Sequence, residues 1–339
     1  MAVFERLSER LSDWWSGWRD RLTLGDRGDA VMGRVFGRFR LKWLWLPLVL
    51  ILLYFPIGMI LVQNVDDDIE FAVPEKLRTP GGSHAVDIAA ALIDREVNDH
   101  EWVANEPFFK PGSKLDNMPN FQQGLVSALA RFAFELTDQI GRARGSSQAD
   151  TDLQEAAGLL QYSGTKWMFD FSTSLAPTAT SEAQYRKARA SLLAYNRRLA
   201  AGDAMFERRA DNLLATLDRI ALDLGSVSAV LDQAIAEGGG WFDFNADDIF
   251  YNAKGKMYGY RMLLRELRRD FDNVVAERQL AVAWDQALAS LALGAEMDPL
   301  VVVNGSPDSL VLPSHLAAQG FYLLRARTQL REITNILLK

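Results

Sequence analysis

The chain of 339 residues contains no cysteine and only three histidines. The absence of cysteine excludes a disulfide framework, a thiol nucleophile and a thiolate metal site. His84, His100 and His315 are widely spaced and form no HExxH pair, and the sequence has neither a GxSxG elbow nor a phosphate-binding glycine loop. We therefore predict no catalytic residue, no metal and no cofactor.

The chain also lacks a surplus of basic residues after position 65. Residues 66–339 carry 28 Lys and Arg against 38 Asp and Glu, a net charge of −10. Nucleic acids and anionic lipids are bound through basic surfaces. This composition makes both of them poor partners, and we expect no nucleic acid.

A long uncharged run is the most informative feature that is present. Trp43–Val65 (WLWLPLVLILLYFPIGMILVQNV) has no charged residue over 23 positions. About 20 apolar residues in a helix cross a hydrocarbon core of about 30 Å. The run predicts a single transmembrane helix. A cleaved signal peptide is the weaker alternative, because such a peptide has a shorter apolar core followed by a small-residue cleavage site.

The charges on either side of this run indicate its orientation. From Thr23 to Lys42 there are five basic and two acidic residues, whereas from Gln63 to Gly82 there are two basic and five acidic residues. Basic residues near a span stay on the cytoplasmic side. We therefore predict a bacterial inner-membrane protein with residues 1–42 in the cytoplasm and its C-terminal domain in the periplasm.

The first 42 residues have the pattern of an amphipathic arm. Large apolar residues recur at steps of three and four, which is one face of a helix. Trp-rich helices of this kind lie in the membrane interface, although the stripe could instead pack on a partner. The predicted interface residues, with two tryptophans that begin the span, are Phe4, Leu7, Leu11, Trp14, Trp15, Trp18, Trp43 and Trp45.

Residues 66–82 read as an acidic linker containing proline and glycine, and residues 83–339 read as an all-α domain. Ser83 is placed to cap the first helix of this domain. Further helices are predicted by apolar periodicity, including one from about Met257 to Leu293. Residues 83–201 and 204–339 share the order of several aromatic and proline positions, so the domain could consist of two related halves.

The segment Gly238–Leu267 is the richest in candidate binding residues. Its aromatic side chains could anchor a loop to the core while Asp247 or Asp248 caps a helix. Alternatively, the segment could line a binding groove with basic residues on the rim. A calcium loop is disfavoured, because the sixth and twelfth positions hold Asp248 and Lys254 instead of Gly and Glu. The candidate binding residues are Trp241, Phe244, Asp247, Asp248, Phe250, Tyr251, Lys254, Lys256 and Tyr260.

One pair of carboxylates is a candidate for a catalytic acid and base. Glu96 and Asp99 are three positions apart and so share one side of a helix. Paired carboxylates can serve a hydrolase, but they must face one cleft at about 5–10 Å. The spacing alone favours a solvated helix face.

The order of several motifs resembles a known family. These are DNMPNFQQGLV (116–126), SEAQYRKARASLLAYNRRL (181–199), FERRADNLLATLD (206–218), WFDFNADDIFYNAKG (241–255) and VVVNGS (301–306). The chain is similar in these motifs to the proteobacterial inner-membrane family filed as domain of unknown function 2333. The resemblance implies one membrane span and a mainly helical outer part. It carries no established activity and hence no catalytic residues.

These observations together predict a membrane-anchored periplasmic scaffold or accessory protein that acts on an envelope protein partner. One alternative is a module that binds a lipid or a cell-wall fragment in a groove near residues 241–260. The other is a carboxylate-dependent envelope hydrolase.

Overall fold

The computed structural model describes residues 46–141, 149–169, 176–238 and 243–339. Within these ranges the regular structure is helical, and the only extended pairing is an isolated bridge between Asn304 and Ser314. The predicted all-α class is confirmed. The chain divides into two compact units, Met1–Ile57 and Gly58–Lys339.

Helix α1 covers residues 46–62, and its apolar side chains are largely exposed, as at Leu52 (68%) and Ile60 (78%). Among the described residues, no helix has both the length and the apolarity needed to cross a bilayer. The span from Trp43 to Val65 therefore stays a prediction. Trp43 and Trp45, like the whole amphipathic arm, lie outside the described residues.

The second unit contains helices α2 to α10 and the hydrophobic core. Two of these helices, α2 and α3, end in a π-helical turn, at Arg95–Asp99 and Leu136–Ile140 respectively. The helices are α2 (His84–Asp94), α3 (Asn117–Glu135), α4 (Thr151–Leu160), α5 (Ser181–Ala201), α6 (Ala210–Glu237), α7 (Phe244–Asp270), α8 (Asp272–Glu277), α9 (Ala281–Ala295) and α10 (His315–Leu337).

Side-chain caps determine where several helices begin. The Ser83 hydroxyl accepts a hydrogen bond from the backbone N–H of Val86 at 3.2 Å, so its predicted cap is confirmed. Asp243 caps α7 by accepting from the N–H of Ala246 at 3.1 Å. The prediction that Asp247 or Asp248 caps this helix is therefore wrong. Both lie inside the first turns, because Asp243 already occupies the cap position.

Helices α3 and α7 run side by side in the same direction at the centre of the domain. Phe121 faces Gly255, and Leu125 faces Gly259 one turn further along both helices. Helices α2 and α9 pack against α7, while α4 and α5 pack against each other and α10 packs on α6 and α9. A duplication would pair α3 with α7 in this way, but the duplication itself stays a prediction.

Candidate functional site

Three of the predicted binding residues lie in the first turns of α7. Trp241 lies outside the described residues, and Phe244 is the first residue of α7. Asp247 and Asp248 follow in the same helix and lie near Asp116, which caps α3. Because α3 and α7 are parallel, their amino-terminal ends bring these three carboxylates together. We call Asp116, Asp247 and Asp248 the acidic pole.

Burial and the charges of neighbouring carboxylates raise the pKa values of Asp247 and Asp248 in the acidic pole. Burial, followed by the charges of Asp116 and Asp248, raises the pKa of Asp247 to about 6. Burial and Asp116 also raise the pKa of Asp248, although Asn120 donates a hydrogen bond to its carboxylate at 2.7 Å. Within the described part of the chain, no group of three His, Cys, Asp or Glu side chains could hold a metal ion.

A pH-dependent stability follows from the raised pKa of Asp247. The folded chain holds this proton more tightly than an unfolded aspartate, whose pKa is about 3.9, so stability falls as pH rises from about 4 to about 6. We expect Asp247→Asn to be more stable than the wild type by about 1 kcal/mol at pH 7, because it removes a half-buried charge from a repulsive cluster. Urea unfolding at both ends of this range measures the difference, which should disappear near pH 4. A difference that is constant with pH would contradict this assignment.

The remaining predicted residues are buried, apart from Lys256, which is partly exposed. Phe250, Tyr251 and Tyr260 are buried, and so is Lys254. Lys256 pairs with Asp223 at 3.2 Å, and Tyr260 donates to the same carboxylate at 2.7 Å. The position predicted for Lys254, on the rim of a groove, is therefore wrong. Its ammonium lies 5.9 Å from the centroid of the Tyr251 ring and is compensated inside the protein. Ligand binding by this segment stays a prediction.

The partner of Lys254 comes from the segment that follows α1. The Lys254 ammonium lies 2.7 Å from the Asp67 carboxylate and donates to the carbonyl of Met297 at 2.8 Å. Arg95 is also buried, and its guanidinium lies 3.1 Å from the carboxylate of Asp66. The acidic run after the apolar segment is thus bound to two buried cations, and it does not form a free linker.

The next residues of this segment are held through their backbone. The Tyr258 hydroxyl donates to the carbonyl of Asp68 at 3.0 Å. Arg265 donates to the carbonyls of Ile69 and Phe71 at 3.0 and 2.7 Å. We call residues 64–71, together with Arg95, Lys254, Tyr258 and Arg265, the anchor clamp. It joins α2 and α7 to the chain directly after α1, so the predicted start of the linker at residue 66 is rigidly packed.

Arg95 connects the anchor clamp to a buried carboxylate. Its guanidinium lies 2.7 Å from Glu96, which is 1% exposed, and donates to the Tyr258 hydroxyl at 2.8 Å. Burial alone would raise the pKa of Glu96, but His100 and the charge of Arg95 hold it below the ordinary value. The solvated face predicted for Glu96 and Asp99 is therefore wrong for Glu96. The π-helical turn directs its side chain inward.

A cavity of about 230 Å³ opens beside His100 and the π-helical turn. Trp102 and Trp167 line it together with Glu101 and Glu106. The Lys110 ammonium binds both carboxylates and lies 2.9 Å from Glu106. Burial raises the pKa of Glu106, whereas the hydrogen bond from Lys110 lowers that of Glu101. Two carboxylates with oppositely shifted pKa values are what an acid–base pair requires, but here both carboxylates share the hydrogen bonds of one ammonium. We call this space the Trp102 cavity.

A larger cavity of about 440 Å³ lies between residues 70–87 and the end of α7. Arg265 and Arg269 line it, and both pair at 2.8 Å with Glu266, which also lines it. These two arginines are thus paired with a carboxylate of the cavity's own wall. This arrangement favours a structural role over the binding of an anion.

Comparison with known proteins places the chain in a family. Residues 72–239 and 239–339 match the family model described as uncharacterized protein conserved in bacteria (DUF2333). No curated protein and no solved structure matches the chain. The family match carries neither a proteobacterial restriction nor a membrane location. Because it covers most of the sequence, the chain belongs to the bacterial DUF2333 family.

Proposed function

We propose that this chain is a single-span protein of the bacterial inner membrane whose helical domain lies in the periplasm and serves as a scaffold for an envelope protein partner. The uncharged run, its flanking charges and the exposed apolar residues of α1 support the location. The scaffold role is supported by the large helical core and by the internal pairing of the candidate site residues.

The anchor clamp is the observation that carries this proposal. In a protein tethered only for retention at the membrane, a flexible linker would suffice after the span. Here Asp66 and Asp67 are paired with buried cations within two residues of the end of the uncharged run. Holding charged groups in the core requires close pairing, so the segment is fixed to the domain. A domain fixed close to its anchor can present a partner at a constant height above the bilayer.

The alternative hypotheses rest on different parts of the molecule. A binding groove near residues 241–260 has less support, since Phe250, Tyr251 and Lys254 are buried. A carboxylate-dependent hydrolase would use the Trp102 cavity, where Glu101 and Glu106 share one ammonium. The scaffold is preferred because this lysine occupies the space between the two carboxylates.

The absence of cysteine allows the location to be tested with single introduced thiols. Ser306 is exposed, and we expect Ser306→Cys to react with a membrane-impermeant maleimide in intact cells whose outer membrane has been permeabilised. Ser8→Cys, in the predicted cytoplasmic arm, is the matched control and should react only after the inner membrane is opened. Equal labelling of both variants before that step would contradict the proposed topology.

The same cells test the scaffold role when crosslinking precedes purification of the full chain. We expect one envelope protein to be recovered at about equal amounts with the chain, as a specific complex predicts. Recovery of no partner would contradict the scaffold. Turnover of an envelope substrate that is lost in Glu106→Gln would replace it with the hydrolase.

A further inference from the structure

Two neighbouring loops expose a cluster of large apolar side chains. Phe108 is 79% exposed and Phe109 is 51% exposed, while Met168 and Phe169 are 43% and 41% exposed. Adjacent rings contact each other: the centroid of Phe109 lies 5.5 Å from that of Phe108 and 6.0 Å from that of Trp167. We call Phe108, Phe109, Trp167, Met168 and Phe169 the aromatic tip. A contiguous exposed patch of this kind marks an interaction surface.

Hydrogen bonds from buried side chains join the two loops to each other. The Trp102 indole donates to the carbonyl of Gly164 at 2.8 Å, and Asn105 donates to that of Lys166 at 2.9 Å. In the other loop, Lys110 binds Glu106. The rings of the aromatic tip are therefore presented by fixed backbone, and little conformational entropy is lost when they are covered.

The aromatic tip lies beside the point where the uncharged run ends. Pro111, three residues after Phe108, packs so closely on Gly58 that a Cβ on Gly58 would overlap its ring. Further along, Asn64 contacts Met118 and His100. Gly58 precedes the last residue of α1, at position 62, by four positions, which is about 6 Å along the helix, and Val65 lies three residues further on. A loop that contacts Gly58 therefore reaches below the surface of a bilayer that the run crosses.

We propose that the aromatic tip inserts into the headgroup region of the outer leaflet of the same membrane. This inference rests on the proposed membrane anchor. Tryptophan and phenylalanine are suited to this depth, where an amphipathic or apolar ring meets the acyl boundary. The net charge of −10 after residue 65 provides no attraction to anionic lipids, so the contact is apolar. Together with α1, the aromatic tip gives the domain a second point of attachment, which fixes its tilt.

Depth-dependent quenching tests the insertion directly. The full chain with Phe108→Cys, labelled with an environment-sensitive fluorophore, is reconstituted into vesicles of phosphatidylethanolamine and phosphatidylglycerol that carry brominated acyl chains. We expect the label to be quenched, at a depth of about 5–10 Å into the boundary between headgroups and acyl chains. High salt should leave the quenching unchanged, because an apolar contact is not screened. Met168→Cys should report a similar depth and guards against an effect specific to one loop.

Phe321→Cys provides the matched control, since Phe321 is 60% exposed on α10 and is not part of the aromatic tip. This label should not be quenched by brominated lipid. Flotation of the vesicles separates the two proposals. If the chain floats with the vesicles but the label at position 108 is no more quenched than that at 321, the insertion is refuted and the anchor stands. If the chain does not float, both are refuted.

Discussion

Replacing Arg95 with methionine should destabilise the domain by about 3–5 kcal/mol, because Glu96 would lose its guanidinium partner in the core and keep only His100 and Gln122 beside it. Arg95 is 3% exposed, and its guanidinium lies 2.7 Å from Glu96. The same guanidinium binds the carboxylate and the carbonyl of Asp66. The substitution therefore also releases the chain after α1. Urea unfolding of the full chain in mild detergent, followed by circular dichroism, measures the loss.

Two further variants separate the buried pair from a general effect of removing charge. Arg268→Met removes an arginine that pairs with the exposed Asp285 and should cost no more than about 1 kcal/mol. Arg95→Met combined with Glu96→Gln should be more stable than Arg95→Met alone, since no unpaired carboxylate remains. The deficit of Arg95→Met should also shrink at acidic pH, where Glu96 is protonated. Equal losses for Arg95→Met and Arg268→Met would contradict the buried cluster.

The sequence predicted the helical class because apolar residues recur at helical spacing in most segments after residue 83. Helix boundaries were less accurate where a side-chain cap competed with the pattern. The helix expected from Met257 to Leu293 begins at Phe244 and is interrupted after Asp270. Beyond the short helix that follows, Gln279 adopts a positive φ of 53° before α9 begins at Ala281. A glutamine does not mark a positive φ in the way that glycine does, so the sequence does not predict this interruption.

The anchor clamp was missed because its pairs join residues far apart in the sequence. Asp66, Asp67 and Asp68 were interpreted only as acidic residues flanking a span. One local signal was nevertheless present at Lys254. Phe250 and Tyr258, four positions before and after it, are aromatic and buried, which places this lysine on the apolar face of a helix. A charge in that position predicts a buried pair, but the periodicity cannot name the partner.

The contact between α3 and α7 should be similarly intolerant of a single added methyl group. A Cβ on Gly255 would overlap the backbone carbonyl of Phe121, and a Cβ on Gly124 would overlap that of Asn252. Backbone cannot move aside as a side chain can, so the two central helices would have to separate. We expect Gly255→Ala and Gly124→Ala each to cost about 1–3 kcal/mol or more, measured by the same unfolding experiment.

Two other helical glycines make this prediction specific. A Cβ on Gly259 would meet Cδ1 of Leu125 at 2.9 Å, which can rotate away, and the Cβ of Ala128 at 3.0 Å. Both approaches are milder than the 2.0 Å to the Phe121 carbonyl oxygen, so Gly259→Ala should cost less than Gly255→Ala. Gly158 is exposed on α4, and a Cβ added there would meet no atom of a neighbouring element within 4 Å. Gly158→Ala should therefore stabilise the domain by about 0.5–1 kcal/mol. The effect of replacing glycine with alanine on stability thus changes from destabilising to stabilising, depending on what surrounds the added methyl group. A loss at Gly158 as large as that at Gly255 would show that helix propensity, and not the contact between α3 and α7, determines these values.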